Sequence, residues 1–338
     1  MIEKLIRNDE TLKKWRRFKA RRLAVISCWL VGISCIFSFS AEFWANSKPL
    51  YLRYDNHTYF PVLVDYHPSL FGVQNAMVMN YRELELDEGD TIIWPVIQWD
   101  PFESNHEVDA YPSAPSSENW MGTDDRGRDI LTRLLYGLRY SITFSFLVWV
   151  LTFVVGTLLG GVMGYFGGRT DFWGQRVVEV LSTVPQFFLL IIIISIFKPT
   201  LLLLVLLSSL FGWISISYYV RGEYLKNRKK EFVEAARALG AGNIRIFFKH
   251  LLPNSLSPII TFSPFVIAGN VVSLASLDYL GFGLTPPTPS WGELLNQAQK
   301  HFTEGWWLAV YPSLALFFTL TMLSLIGEGV RDAMDPKD

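Results

Sequence analysis

The chain has 338 residues, of which 50% are hydrophobic and 15% aromatic, and its formal net charge is -1. This composition excludes an intrinsically disordered or strongly nucleic-acid-binding chain and favours a polytopic membrane protein. Only two cysteines occur, Cys28 and Cys35, on one face of an apolar run, so we expect small buried side chains and no disulfide framework.

Charge is distributed unevenly along the chain, as membrane topology requires. Residues 1–22 carry nine Lys/Arg and three acidic residues, whereas residues 45–140 carry seven and fifteen. The apolar run after residue 22 is too long for a cleavable signal peptide. We therefore expect an uncleaved anchor with a cytoplasmic N-terminus, because basic residues stay on the cytoplasmic side of a membrane.

Six apolar stretches are long enough to cross a bilayer, since a spanning helix needs about 20 apolar residues. They are Leu23–Trp44, Ile142–Phe166, Val177–Phe197, Leu201–Val220, Ile259–Leu280 and Trp306–Ile326. Counting sides from a cytoplasmic N-terminus places the C-terminus and the loop 221–257 in the cytoplasm, and 21 of the 30 Lys/Arg then lie on that side. The sequence thus predicts an all-α membrane protein with four parts: the basic N-terminus 1–22, span 1 (23–44), an outer segment 45–140, and a core 141–338 with spans 2 to 6.

The outer segment is longer than a connection between two spans requires. Its stretch "KPLYLRYDNHTYFPVL" (48–63) alternates aromatic and polar residues about a possible turn at Asp55-Asn56. The stretch "DTIIWPVIQWDPF" (90–102) has a second extended pattern. We predict a small β-containing extracytoplasmic insertion, and its histidines lack the spacing of metal ligands.

An amphipathic segment, "WMGTDDRGRDILTRLLYGLRYSITF" (120–144), leads into the second span. Asp124 or Asp125 is expected to cap a helix start, and Asp129 and Arg133 have the i,i+4 spacing of an ion pair. Within the second span, glycines recur every four residues at 156, 160 and 164, which indicates close helix packing rather than a phosphate-binding loop. The nucleotide-binding pattern G-x-x-x-x-G-K-[ST] is absent from the sequence.

The segment "EFVEAARALGAGNIRIFFKHLLPN" (231–254) predicts two short helices at the cytoplasmic face. Phe232, Ala235, Ala236 and Leu239 fall on one stripe of the first helix, with Glu234 beside it. Gly240 has the position of a helix C-cap, because glycine adopts positive φ without steric cost. Asn243 is a candidate N-cap of the second helix, which Pro253 is expected to end.

Four residues in or near the spans are candidates for a solute pathway. Pro185 is expected to kink span 3 and expose backbone carbonyls, while Gln186 and Asn270 are polar groups inside apolar runs. Asp278 is the charged candidate, near the outer end of span 5. A packing kink and hydrogen bonds between helices explain these residues equally well.

Three motifs resemble one family of membrane proteins. Glu234-Ala235-Ala236, then Gly240 and His250-Leu251-Leu252-Pro253, resembles the EAA loop of permease subunits of bacterial ABC importers. The segment 120–144 and the loop "LDYLGFGLTPPTPSWGELL" (277–295) resemble the second permease of oligopeptide and dipeptide importers, and the "KPL…RYD…YFP" pattern resembles the Yej branch. One departure is Leu274, since many relatives have an acid there.

The resemblance implies a type I ABC importer permease that is not itself an enzyme and binds no cofactor or metal. Its expected partners are a second permease, two ATPase subunits that bind ATP and Mg²⁺, and an extracytoplasmic binding protein that delivers peptide, or microcin C in the Yej branch. It implies a bacterial inner-membrane location. ATPase coupling would lie in the EAA loop, on the residues Phe232, Glu234, Ala235, Ala236, Leu239, Gly240 and Pro253.

Two other classes were weighed against a permease. An ion-coupled secondary transporter needs ionisable groups near the bilayer midplane, and the predicted spans lack them. An intramembrane enzyme needs a catalytic pair, and neither paired intramembrane carboxylates nor a nucleophilic constellation is evident. The sequence therefore favours a non-catalytic transport subunit with membrane and protein partners and no nucleic acid.

Overall fold

A computed structural model of the chain describes residues 9–73, 76–87 and 89–334. Parts of both expected cytoplasmic termini, residues 1–8 and 335–338, lie outside the described residues. The helices are α1 (Asp9–Ala20), α2 (Arg22–Phe39), α3 (Ile130–Phe166), α4 (Gly168–Ser182), α5 (Gln186–Ile196), α6 (Leu201–Asn227), α7 (Glu231–Ala238), α8 (Asn243–Arg245), α9 (Leu252–Ser255), α10 (Ser257–Tyr279), α11 (Trp291–Lys300) and α12 (Trp306–Met334). The strands are β1 (Tyr51–Tyr54), β2 (His57–Tyr59) and β3 (Thr91–Ile93).

The predicted membrane-spanning architecture is confirmed. Five described helices, α2, α3, α6, α10 and α12, are long and apolar enough to cross a membrane, and the bent pair α4 and α5 makes six when it is counted as one broken span. The pair bends by 67° at a break that ends with Pro185. Proline causes the break because it has no amide hydrogen to continue the helical ladder.

Two boundaries differ from the prediction. The first span ends at Phe39 instead of Trp44, and a 3₁₀ turn at Ala41–Phe43 follows it. The last part of the amphipathic lead-in is continuous with the second span, because one helix, α3, runs over 37 residues from Ile130 to Phe166. Cys28 and Cys35 are free, as expected, but they are half-buried rather than buried because α2 has few neighbours within this chain.

The chain divides into two compact units that do not follow chain order. The first, here called the membrane unit, comprises residues 1–32, 141–285 and 316–338. The second, here called the insertion unit, comprises residues 33–140 and 286–315.

A three-stranded antiparallel sheet in the insertion unit confirms the predicted β-structure. The strand order is β2-β1-β3, and Tyr54 pairs with His57 across the turn at Asp55-Asn56. Both turn residues have positive φ, at 46° and 59°, as the type I′ turn of a two-residue hairpin requires. Aromatic side chains pack around Leu52 and Phe71 beneath the sheet. Of the stretch 90–102, only Thr91–Ile93 is a strand.

Charged side chains are buried in the insertion unit where α3 begins, and their pairing differs from the prediction. Asp129, not Asp124 or Asp125, caps α3, because its Oδ1 accepts the amide hydrogen of Thr132 at 2.8 Å. Arg133 does not pair with Asp129. Its guanidinium contacts Glu293 on α11 and lies 3.4 Å from Asp124. Neither acid is three or four residues from Arg133 along the chain, as a pair within one helix would be. Spacing alone could not reveal these partners because tertiary folding supplies them.

Glycines allow α3 and α6 to approach closely in the membrane unit, as their spacing predicted. A Cβ atom built on Gly156 would lie 2.7 Å from Cβ of Ile216, and one on Gly164 would lie 2.6 Å from Cβ of Tyr224. Gly160 lies between them, against the backbone of Ser217. Larger residues would force the helices apart, so these positions fix the distance between α3 and α6.

Candidate coupling hairpin and intramembrane cavity

A helical hairpin joins α6 to α10 in the membrane unit. Its first helix, α7, ends in a turn at Gly240, which has φ +80°. The amide of Gly240 donates to the carbonyl of Arg237 at 2.9 Å, and that of Ala241 donates to the carbonyl of Ala236 at 3.0 Å. This glycine C-cap confirms the turn that the sequence predicted.

The inner face of α7 anchors the hairpin to the long helices. Val233 is fully buried and Ala236 is 7% exposed, and both belong to an apolar cluster with Tyr224 of α6 and Phe247. Tyr165 of α3 and Ile259 of α10 belong to the same cluster. Because these contacts come from three long helices, the hairpin is held as part of the membrane unit.

The expected apolar stripe of α7 is therefore divided between two faces. Ala236 points inward, and Val233, which the stripe did not include, is its inner partner. Phe232, Ala235 and Leu239 face outward, and Glu234 is exposed beside them. Leu239 is 89% exposed at the tip of the hairpin. Phe232 at 36% and Ile244 at 77% are further exposed apolar side chains of the hairpin, and a group of such side chains is a candidate docking surface.

The second half of the hairpin corrects two predictions. Gly242, not Asn243, has the N-cap position, and the Asn243 side chain instead accepts a hydrogen bond from the Tyr165 hydroxyl at 2.7 Å. Pro253 does not end the helix but lies within α9. The preceding turns, Ile246–Leu251, are a π-helix, which is wider than an α-helix and so relieves the clash between a proline ring and the preceding turn.

A cavity of about 310 Å³ lies inside the membrane unit between α3, α5, α6 and α10. Two predicted pathway residues, Gln186 and Asn270, line it together with Ser208, Thr152 and Ser273. Gln186 Nε2 donates to the Ser208 carbonyl at 3.4 Å, and Asn270 Nδ2 donates to the Ser145 carbonyl at 3.2 Å. The lining consists of uncharged side chains.

The Ser208 hydroxyl at this cavity lacks a hydrogen-bond partner among the described residues. Ser208 is 5% exposed, and its buried Oγ has no hydrogen-bond partner in the described chain. A buried polar atom without a partner costs about 1–3 kcal/mol, which indicates that something else binds it. Sequence reasoning did not select Ser208, although a serine pair inside the run "LLLLVLLSSLF" was a usable signal.

The other two pathway candidates are not among the residues that line this cavity. Pro185 is the N-cap of α5, directly before Gln186, and so sets where that helix begins. Asp278 is 7% exposed, and its Oδ1 accepts the amide hydrogen of Leu284 at 2.6 Å. Its Cγ would lie 2.5 Å from a Cβ built on Gly283. Asp278 therefore closes the loop after α10, while Leu274 packs with Leu277 in an apolar cluster.

Within residues 9–73, 76–87 and 89–334, no group of three or more His, Cys, Asp or Glu residues is arranged to hold a metal ion. The exposed tip of the hairpin and the polar cavity are the features that match the predicted coupling and pathway roles.

Comparison with known proteins identifies the family. Residues 156–337 match the model of the binding-protein-dependent transport system inner membrane component. The chain belongs to this family. It is 38% identical, over 96% of both chains, to the inner membrane ABC transporter permease protein YejE of Escherichia coli K12. It is 36% identical to the peptidoglycan transport system permease protein YejE of Agrobacterium fabrum, over 97% of this chain and 93% of that one.

Similarity extends to other importers and to a solved structure. The permease is 35% identical to the dipeptide transport system permease protein DppC of Alkalihalophilus pseudofirmus, over 66% of this chain and 73% of the relative. Its fold is that of the permease in inward-facing MetNI, a methionine ABC transporter, with a TM-score of 0.51 at 18% identity, covering 60% of this chain and 97% of that one.

Membership of this family settles the general role of the chain. It is the multi-pass inner-membrane permease of an ABC importer, a non-catalytic subunit whose ATPase is a separate chain. An ATPase and a substrate-binding protein are therefore its partners. The expected resemblance to the oligopeptide and dipeptide permeases, and to their Yej branch, is confirmed.

Proposed function

We propose that this permease forms half of the translocation pathway of an ATP-driven peptide importer and receives force from an ATPase through the tip of its hairpin. A second permease completes the pathway, two ATPase subunits bind ATP and Mg²⁺, and an extracytoplasmic binding protein delivers the substrate. Both termini and the hairpin lie in the cytoplasm. The distribution of basic residues supports this orientation.

The exposed Leu239 on an otherwise anchored helix carries the coupling proposal. Its side chain is 89% exposed, whereas Val233 on the same helix is fully buried against α6 and the second half of the hairpin. A partner that covers Leu239 and Phe232 would therefore push on α7, and α7 would transmit the movement to α3 and α6 through buried contacts. Interfaces transmit force in this way because packed cores are bistable rather than continuously deformable.

The polar cavity supports a peptide as substrate. Peptide bonds present one donor and one acceptor each, and hydroxyl and amide side chains such as those of Ser208, Gln186 and Asn270 bind both kinds of group. The names of the relatives point the same way, because a dipeptide and the cross-linking stems of peptidoglycan share the peptide bond. An ion-coupled transporter is less well supported, since the cavity is lined by uncharged residues.

Replacing Leu239 by Asp tests the coupling proposal. Because the side chain is exposed, we expect normal insertion and yield but loss of ATPase co-purification and of ATP-dependent uptake in proteoliposomes. Phe302→Asp is the matched control, since Phe302 is 76% exposed in the insertion unit, and this variant should retain the ATPase. Normal ATPase retention and normal uptake by Leu239→Asp would show that the hairpin tip is not the coupling surface.

Substrate class needs a separate measurement. Proteoliposomes that contain the complete importer and its binding protein should accumulate a labelled oligopeptide, and unlabelled peptides should compete while free amino acids should not. Equal competition by free amino acids would contradict the assignment of peptide as substrate without affecting the coupling proposal.

A further inference from the structure

A groove of about 590 Å³ lies in the membrane unit between α1 and the ends of α6, α10 and α12. We call it the basic groove, because five cationic side chains line it: Lys13, Lys14, Arg17, Lys226 and Arg331. Two acidic residues, Glu10 and Glu223, also line it, so its described lining carries three more positive than negative charges. Neither the coupling hairpin nor the polar cavity uses this groove.

One face of α1 is directed into the groove. Its four lining residues are at positions 10, 13, 14 and 17, which is the i, i+3, i+4, i+7 spacing of one helical face. Nζ of Lys14 lies 2.7 Å from Oε1 of Glu10, so that acid is already paired. Lys226 and Glu223 are 3.9 Å apart, which leaves their attraction weak. The groove therefore keeps an excess of positive charge.

Backbone groups add to this charge on the opposite wall. The first residues of α10, Ser257 and Pro258, line the groove, and Leu256 at the N-cap makes no side-chain capping bond. The N-terminus of a 23-residue helix carries a partial positive charge, and Ser257 has an amide hydrogen there while Pro258 has none. Cationic side chains and a helix N-terminus together form the environment that binds phosphate groups.

Contacts between α1 and α12 hold the two walls together. Nη2 of Arg21, the residue after α1, lies 2.8 Å from Oδ2 of Asp332 on α12. A Cβ built on Gly329 of α12 would lie 3.1 Å from Cε2 of Phe18. These contacts fix the helix that carries three of the five cations, so the positive charges remain near one another without a ligand.

The neighbouring surface favours a lipid over a free anion. The span α2 begins two residues after α1 ends, and Leu23 and Ile26 in its first turns are 65% and 53% exposed. An apolar span thus follows directly on the helix that lines the groove, as the acyl chains of a ligand with a phosphate group require. Basic pockets between membrane helices on the cytoplasmic side commonly bind anionic lipid headgroups.

We propose that the basic groove binds the phosphate of an anionic phospholipid headgroup. The test uses the full-length permease, purified in detergent with its partner subunits and titrated with dioctanoyl phosphatidylglycerol under native mass spectrometry. The double variant Lys13→Gln with Arg331→Gln should bind this lipid about 30-fold more weakly, since each basic residue near a membrane surface contributes about a factor of five. Zwitterionic phosphatidylcholine should bind weakly to both proteins.

A matched control removes the same charge from outside the groove. Arg16 and Lys19 are exposed on α1 but do not line the groove, so Arg16→Gln with Lys19→Gln should bind phosphatidylglycerol as the wild type does. Co-purification of the partner subunits shows that each variant is folded. Equal loss in the control would mean that α1 attracts anionic lipid without a defined site, and unchanged binding in Lys13→Gln with Arg331→Gln would also overturn the proposal.

Inorganic phosphate distinguishes the two possible sources of the ligand. We expect millimolar phosphate to displace little of the bound phosphatidylglycerol, because it lacks the apolar contacts beside the groove. Complete displacement at equal concentrations would assign the groove to a soluble phosphate and would overturn the assignment to a lipid.

Discussion

Tyr165, near the end of α3, donates its hydroxyl hydrogen to Oδ1 of Asn243 in the hairpin at 2.7 Å. The backbone carbonyl of Tyr165 accepts a second hydrogen bond, from Nη1 of Arg228 at 3.0 Å. One residue thus connects α3 with segments on both sides of α7. The asparagine that the sequence suggested as a helix cap is instead a contact between the hairpin and a spanning helix.

Tyr165→Phe should loosen the hairpin without unfolding the permease. One hydrogen bond contributes about 1 kcal/mol, so amide exchange in residues 231–254 should accelerate several-fold. Hydrogen exchange followed by mass spectrometry measures this change. Tyr218→Phe is the control, because Tyr218 is 40% exposed on α6, and it should leave exchange in the hairpin unaltered. Identical exchange in the two variants would show that the Tyr165 hydroxyl does not hold the hairpin.

Gly240→Ala should strain the turn of the hairpin, whereas Gly242→Ala should not. Neither glycine has an atom within 4 Å of an added Cβ, so the difference depends only on backbone conformation. Gly240 has φ +80° and Gly242 has φ -71°. We expect a cost of about 1 kcal/mol at Gly240 and reduced ATP-dependent uptake, with normal uptake for Gly242→Ala. Equal uptake by both variants would contradict a need for this turn.

Ser208→Ala should reduce transport without reducing the stability of the permease. Within the part of the chain that the structure describes, the buried Ser208 hydroxyl has no partner. Its removal should therefore leave the free energy of unfolding unchanged or raise it by about 1 kcal/mol. If this hydroxyl contacts the passing substrate, uptake should nevertheless fall several-fold. Ser209→Ala is the control, because the Ser209 hydroxyl donates to the Val205 carbonyl at 2.7 Å and does not line the cavity. Unchanged uptake by Ser208→Ala would exclude this residue from the pathway.

Asp125→Asn should stabilise the insertion unit at neutral pH. Burial and then the neighbouring Asp124 raise the pKa of the Asp125 carboxyl above its ordinary value of 3.8. One of its oxygens is buried and has no hydrogen-bond partner among the described residues. A raised folded-state pKa means that stability is lost as pH rises from the ordinary value through the folded one. The gain from Asn should therefore be present at pH 7 and vanish below pH 4.

Thermal unfolding of the detergent-solubilised complex at several pH values measures this effect. Asp124→Asn is the control, and we expect it to lower stability. Asp124 is fully buried, and its Oδ2 lies 2.6 Å from Nη2 of Arg128. Removing that carboxylate leaves buried guanidinium charge, at a cost of about 3–5 kcal/mol. A pH-independent effect of Asp125→Asn would show that its carboxyl is not destabilised by ionisation.

Patterns with a local cause were predictable from the sequence. Apolar length predicted the spans, and the backbone freedom of glycine predicted the turn at Gly240. The Asp55-Asn56 turn was predictable because few residues adopt positive φ. The spacing of Gly156, Gly160 and Gly164 likewise predicted a close approach of two helices, but not that α6 would be the partner.

Contacts between distant segments could be decided only by the tertiary structure. The periodicity of α7 placed Ala236 on the docking stripe, but packing against Tyr224 and Phe247 buries it and leaves Leu239 outside. Arg133 had an acid at helical spacing, yet Glu293, 160 residues away, is its partner. Local sequence determined which segments are helices and which cross the membrane, because hydrogen bonding and apolar length act within a segment. The face that each helix exposes depends on its neighbours, and only the assembled structure identifies them.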